Sequence, residues 1–181
     1  MNRFHKTATL LAEVVSGIES NRLETFPLLV CKGENVGLVK FGYPGGDDDY
    51  VTPYVINASF CLEHCLKIIK WYYDGIWLKG HNLVKLYRAL PDSVRTDVAK
   101  NFEMTIQSKN LYNTIERLIH DSGFKGFRWN VDELLASSGN AFDDWRYAFD
   151  NEGELSWFAG YYEIYNELKK EIEKIVASRE G

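Results

Sequence analysis

The feature that most constrains this chain is the segment that opens at Thr52-Pro53 and closes near Asp74. Threonine is a favourable N-cap, and proline suits the first helical position, where its missing N–H has no intrahelical partner to lose. The pair predicts a helix over 53–74, about 33 Å long at 1.5 Å per residue. Its apolar residues, Val55, Ile56, Ala58, Phe60, Leu62, Leu66, Ile68, Ile69 and Trp71, surround nearly the whole circumference. A helix apolar on most sides has to be enclosed by other elements, so this one is expected to be the innermost rod of a bundle. A length of 181 residues supports one domain with a full core, and the chain is read as a single unit over 1–181.

The remaining pattern surrounds that rod with further helices. Leu10, Leu11, Val14, Val15 and Ile18 repeat at steps of three and four, which predicts an amphipathic helix over 7–23. Two short β-branched or apolar runs, 26–31 and 36–41, flank Lys32-Gly33-Glu34-Asn35 and read as a small hairpin within 26–43. Leu83, Leu86, Tyr87 and Leu90 mark a short helix stopped by Pro91, and Asp92 or Ser93 can cap a helix to about Gln107. Further helices are expected over 111–120 and 131–137, while 142–149 is aromatic-rich and ambiguous. Over 155–178, Phe158, Tyr161, Tyr165, Leu168, Ile172 and Ile175 form the seam of an antiparallel bundle or a short coiled coil. Glu167 with Lys170 and Glu171 with Lys174 are expected as exposed pairs beside it. The expected fold class is therefore all-α, an antiparallel up-and-down bundle with a small β-hairpin insertion near the N-terminus.

Composition excludes several classes of protein. Hydrophobic residues are 45% of the chain and aromatics 14%, which is incompatible with disorder or low complexity. The longest run free of Asp, Glu, Lys and Arg is 13 residues, 50–62, too short for a membrane span. Glu13 interrupts the apolar stretch a signal peptide requires, so a cytoplasmic location is expected. Three cysteines are too few for a disulfide scaffold. The net charge of −5 argues against an obligate nucleic-acid coat protein. Charge is unevenly spread, however: 63–128 carry 11 basic and 7 acidic side chains, a net +4, whereas 129–154 carry 1 and 7, a net −6.

Chemistry-bearing motifs are sparse. Cys61, His64 and Cys65 share one helical face, but a zinc site draws four ligands, usually from two segments, and no second Cys pair exists. His81 or His120 would have to complete such a set, and packing of buried thiols is the expected role. Gly45-Gly46-Asp47-Asp48-Asp49 lacks the Lys-Ser/Thr of a P-loop and the spacing of an EF-hand. Neither a metal nor a cofactor is expected. Nucleophile elbows, zinc-protease helices and dinucleotide fingerprints do not occur.

Two linked stretches carry more information. Glu63-His64-Cys65-Leu66-Lys67 ends in the pattern Glu-x-x-Leu-Lys, and Gly80-His81-Asn82-Leu83 follows after a loop. Downstream stands Phe142-Asp143-Asp144-Trp145-Arg146-Tyr147. Together they resemble the HEPN domain, a helical family of prokaryotic toxin, phage-defence and nucleotidyltransferase-associated proteins, over about 52–178. The resemblance implies a helical bundle, a homodimer built through its long helices, and a role in binding RNA, a nucleotide or a partner protein. Catalytic HEPN ribonucleases place four to six residues between an Arg and a His; here the nearest approach is Arg117-Leu118-Ile119-His120, with only two between them. The nuclease motif is absent, so a non-catalytic binding protein is the leading expectation. A divergent metal-independent ribonuclease with His81, Arg146 and Glu63 converging across a dimer is the second. A structural or regulatory interaction module is the third.

Bland roles for the same residues follow from their surroundings. His81 at a turn can simply satisfy local backbone groups. Arg146, the one cation among seven carboxylates of 131–154, can pair with Asp143, Asp144 or Asp150 instead of clamping a phosphate. Glu63 and Lys67 have the spacing of an ordinary helical salt bridge.

Overall fold

A computed structural model describes residues 6–7, 27–32, 35–40, 51–108, 128–147 and 160–180. The described chain is mostly helical. The backbones of β1 (Pro27–Lys32) and β2 (Asn35–Lys40) run antiparallel, Leu29 opposite Leu38. Six helices follow: α1 (Val51–Asp74), α2 (Leu83–Arg88), α3 (Asp92–Ser108), α4 (Val131–Ser137), α5 (Ala141–Arg146) and α6 (Tyr161–Glu180). Beyond Lys6 and Thr7, which are helical, the helix expected over 7–23 lies outside the described residues, as do the Gly/Asp loop at 44–49, the helix at 111–120, and His5, Arg117 and His120.

α1 is the enclosed rod that its composition demands. No residue from Thr52 to Lys70 is exposed, and Val55, Ala58, Cys61, Cys65, Leu66 and Ile69 are wholly buried. The helix begins at Val51, ahead of the expected Thr52 cap. Pro53 is accommodated inside the first turn because N–H groups there have no intrahelical acceptor. One expected core residue is not buried: Trp71 is 48% exposed, because α1 emerges from the bundle at its C-terminal end. Polar side chains along the rod turn inward onto backbone, as where the Ser59 hydroxyl donates to the Val55 carbonyl at 2.7 Å.

α1 packs against α5 and α6, α3 against α6, and α2 against α4. The seam of α6 is buried at Tyr161, Tyr165, Leu168 and Ile175, as its periodicity predicts. Its direction relative to α1 is read from contacts at both ends. Tyr161 at the start of α6 meets Tyr54 near the start of α1, ring centroids 6.2 Å apart, while Tyr72 and Ser178 bond at 2.9 Å near the two far ends. The two helices are therefore parallel. The antiparallel partner of α6 is α3, where Thr105 reaches Glu167 and Asp97 faces Lys174. Periodicity sets which face is buried but carries no direction, so either neighbour satisfies it.

The glutamates of α6 also depart from expectation. The carboxylates of Glu167 and Glu171 are buried, at 1% and 6% exposure, and only the lysine ends of their pairs reach solvent. Glu171 lies on the α1 side, accepting from the Tyr73 hydroxyl at 2.7 Å, and Glu167 lies on the α3 side. Their bonds to Lys174 and Lys170 (2.9 and 2.7 Å) let the long lysine stems cover the acids while keeping the ammonium groups wet. The start of α6 is fixed by Gly160, at φ +71°, where a Cβ would stand 2.7 Å from Leu134 Cδ1. Any larger residue there meets both the left-handed backbone and the buried leucine.

Candidate functional site

α1 carries Phe60, Glu63, His64 and Lys67 at steps of three, one and three, which places them along one side of the rod. Glu63 and Lys67 do form the i,i+4 pair read from the sequence, Nζ to Oε1 at 2.7 Å, but it is buried, the side chains 9% and 2% exposed for lysine and glutamate. An ion pair in such surroundings is costly to desolvate and depends on every remaining lone pair being satisfied. The second Glu63 oxygen is satisfied by His81, whose Nδ1 lies 2.8 Å from Oε2. His81 is thus not bonded to the local backbone of its turn. It reaches back across the loop to α1.

Several contacts hold it there. Gly75 (φ +68°) and Gly80 (φ +86°) let the chain reverse after α1. Asn82, not His81, caps α2, its side-chain oxygen accepting from the Lys85 N–H at 3.0 Å. The Asn82 amide donates to the Asn140 side chain at 2.7 Å, and the Leu83 N–H donates to the Gly139 carbonyl at 2.9 Å. The turn that bears His81 is therefore stitched to the turn that opens α5. Gly139 eases that approach, since a Cβ would stand 3.1 Å from the Asn82 amide nitrogen and crowd it.

α5 completes the arrangement. The expected ambiguity of 142–149 resolves as helix over Ala141–Arg146, with Phe142 and Arg146 one turn apart. The His81 imidazole stacks on Phe142 at 4.8 Å and 24°, and Phe142 stacks on Phe60 at 5.4 Å and 25°. The Arg146 guanidinium lies 5.7 Å from the centre of the Phe142 ring and 5.4 Å from that of Tyr147. Among the described residues it pairs with rings, not with Asp143 or Asp144; Asp150 lies outside them. Glu63, His81 and Arg146, expected to converge across two subunits, are linked within one chain: Glu63 bonds His81, and Phe142 lies against both His81 and Arg146.

The electrostatics define what this cluster can do. An ionised carboxylate only accepts, so the His81 Nδ1 carries the proton in the bond to Glu63, and Nε2 is the nitrogen left to meet a ligand. The imidazole is 41% exposed while Glu63 is 2% exposed, so the buried acid orients a group that reaches solvent. Arg146 and Tyr147 are exposed beside it. An oriented imidazole can take or give a proton, and a guanidinium can hold a phosphate. Aromatic faces can stack on bases.

Cys61, His64 and Cys65 play another part. Both thiols are wholly buried. Their mutual hydrogen bond pushes the Cys65 thiol well up and draws Cys61 down, and Cys61 also contacts Tyr161 of α6. His64 Nδ1 turns to the Phe60 carbonyl at 2.9 Å and its ring packs edge-on against Phe60. Among the described residues, no three His, Cys, Asp or Glu side chains group as metal ligands, and no helix is long and apolar enough to cross a membrane.

Sequence reading missed the connecting rings. Phe60 passed for core and Phe142 for part of an undefined aromatic segment, although Phe142 and Arg146 stand at i,i+4, the spacing that sets a cation over a ring on a helix. Comparison of the chain with protein-family models, with curated proteins and with solved structures finds no match.

Proposed function

We propose that this chain is an HEPN-like helical protein that binds RNA through the face formed by His81, Phe142 and Arg146, as a homodimer in a prokaryotic defence or toxin–antitoxin setting. The observation that carries this reading is His81 held by Glu63 and stacked on Phe142 beside Arg146. The three motifs behind the HEPN resemblance supply the residues of that one face. Phosphate recognition by Arg146 and ring stacking at Phe142 and Tyr147 need no base-specific groups, which suits a sequence-tolerant binder. A fluorescent single-stranded RNA oligomer is expected to bind with an affinity that falls as salt rises. Arg146→Ala is expected to weaken binding and to lower the salt slope by about one counterion. Affinity identical in wild type and Arg146→Ala would remove this face from the reading, and light scattering of a strict monomer would remove the homodimer.

A second reading, metal-independent RNA cleavage, is favoured by the Glu63–His81 bond, because it leaves Nε2 as the nitrogen available to a ribose hydroxyl. It requires cleavage in the presence of a chelator, lowered about 10²- to 10⁴-fold by His81→Ala with the thermal midpoint preserved. An unchanged rate in that variant rejects it. If neither RNA nor nucleotides alter the melting temperature, the interaction-module alternative takes its place.

A further inference from the structure

The end of α1 and the loop that follows it differ sharply from the rest of the rod. After a run with no exposed residue from Thr52 to Lys70, Trp71, Tyr73, Ile76 and Trp77 are 48%, 45%, 53% and 52% exposed. Leaving two tryptophans in water forgoes the burial that large aromatics normally provide, and such patches commonly mark interaction surfaces. We propose that this aromatic end is a stacking platform for single-stranded RNA that continues into the His81 face. The inference rests on the RNA-binding reading of that face and extends it to the path of the strand.

Three observations point to this occupant. The first is continuity: Trp77 is four residues before His81, a chain span of at most about 14 Å, so one strand can touch both. The second is charge. Lys67, Lys70 and Arg88 are taken up by Glu63, Asp74 and Asp132, which leaves Lys79 and Lys85 as the uncommitted cations of 64–88. Lys79 and Lys85 are exposed and make no ion pair among the described residues, and the Arg179 guanidinium lies 5.0 Å from the Tyr72 ring centre and 6.0 Å from that of Trp71. Interfaces between protein copies are depleted in lysine at their cores, whereas aromatic rings interleaved with cations are how single strands are held. The third is access: Gly75 and Gly80 bracket the loop, and beyond their chain neighbours no atom of the described residues lies within 4 Å of where a Cβ would stand, so space for a ligand adjoins both ends. Duplex RNA keeps its bases stacked on one another and offers no free ring face, so selectivity for single strands follows.

The test is fluorescence anisotropy with a labelled unstructured RNA oligomer and its duplex form, using the full chain, its Trp77→Ala and Trp77→Phe variants, and Arg146→Ala. Because Trp77 is half exposed, its truncation is expected to leave the circular dichroism unchanged. Trp77→Ala is expected to weaken single-strand binding about tenfold, with Trp77→Phe within about threefold of wild type and the duplex bound more weakly than the single strand. Wild-type affinity in Trp77→Ala, with Arg146→Ala still impaired, overturns the platform while leaving the His81 face standing. No binding by wild type overturns both. A Trp77→Ala change that converts a dimer to monomer, or releases the chain from anionic lipid vesicles, with RNA affinity untouched, assigns the patch to that other occupant and overturns the inference.

Discussion

Glu63→Ala is expected to destabilise the protein by about 3–5 kcal/mol, the cost of leaving one member of a buried ion pair without its partner. The carboxylate is 2% exposed and serves two partners, the Lys67 ammonium on one oxygen and the His81 imidazole on the other. Its removal strands the Lys67 ammonium beneath the bundle surface and frees the His81 ring from the bond that orients it. Chemical denaturation measures the loss directly. The double variant Glu63→Leu with Lys67→Met removes both charges and keeps the volume, so it is expected to recover most of the stability but not His81-dependent binding or chemistry. A cost below about 1 kcal/mol for Glu63→Ala would mean that water reaches the pair and that His81 is not anchored to a buried group.

Alkaline pH is expected to remove a comparable amount of stability through tyrosines. Burial pushes the phenols of Tyr87 and Tyr165 up to about 12, and pushes Tyr161 up further. The neutral phenol is the form the fold accommodates. Its stabilisation is complete below the unfolded value near 10 and is lost as pH rises through the folded value, so the window is from about 10 to about 12. Two groups, each displaced by about two units, contribute on the order of 2–3 kcal/mol apiece, which is a large part of the stability of a domain this size. Tyr73 is also raised to about 12, by its bond to Glu171, but it is 45% exposed and serves as a reporter, not as a source of stability. Phenolate absorbance is expected to rise cooperatively with loss of helix in this window, and Tyr87→Phe to reduce the pH dependence. Titration of all tyrosines near 10 with helix intact would contradict the burial of Tyr87 and Tyr165.

What could be read from the sequence was what local pattern determines. The enclosure of α1 followed from apolar residues on all its sides, and the buried face of α6 from Tyr161, Tyr165, Leu168 and Ile175. Helix direction could not be read, because the same stripe serves a parallel neighbour, α1, as well as an antiparallel one, α3. The buried state of Glu167 and Glu171 was equally hidden, since the i,i+3 spacing to lysine is the same in water and under a neighbouring helix. At the candidate site, Glu63, His81 and Arg146 were each visible, but their meeting depended on two turns joined through Asn82, Gly139 and Asn140, contacts between positions 58 residues apart for the asparagine pair. Phe142 was visible as part of the 142–147 motif, but its part in holding His81 was not, because a phenylalanine carries no chemical signature until something is seen lying on it.

In the proposed RNA-binding face, His81 is an oriented, solvent-reaching imidazole that meets the strand. Nitrogen-15 NMR of the imidazole ring, recorded with and without a single-stranded RNA oligomer, tests this most directly. The account predicts a protonated Nδ1 whose signal is lost from that position in Glu63→Gln, and an Nε2 resonance that moves on RNA addition in wild type. An Nδ1 without its proton in the free protein, or an Nε2 resonance that stays fixed at saturating RNA, would contradict it.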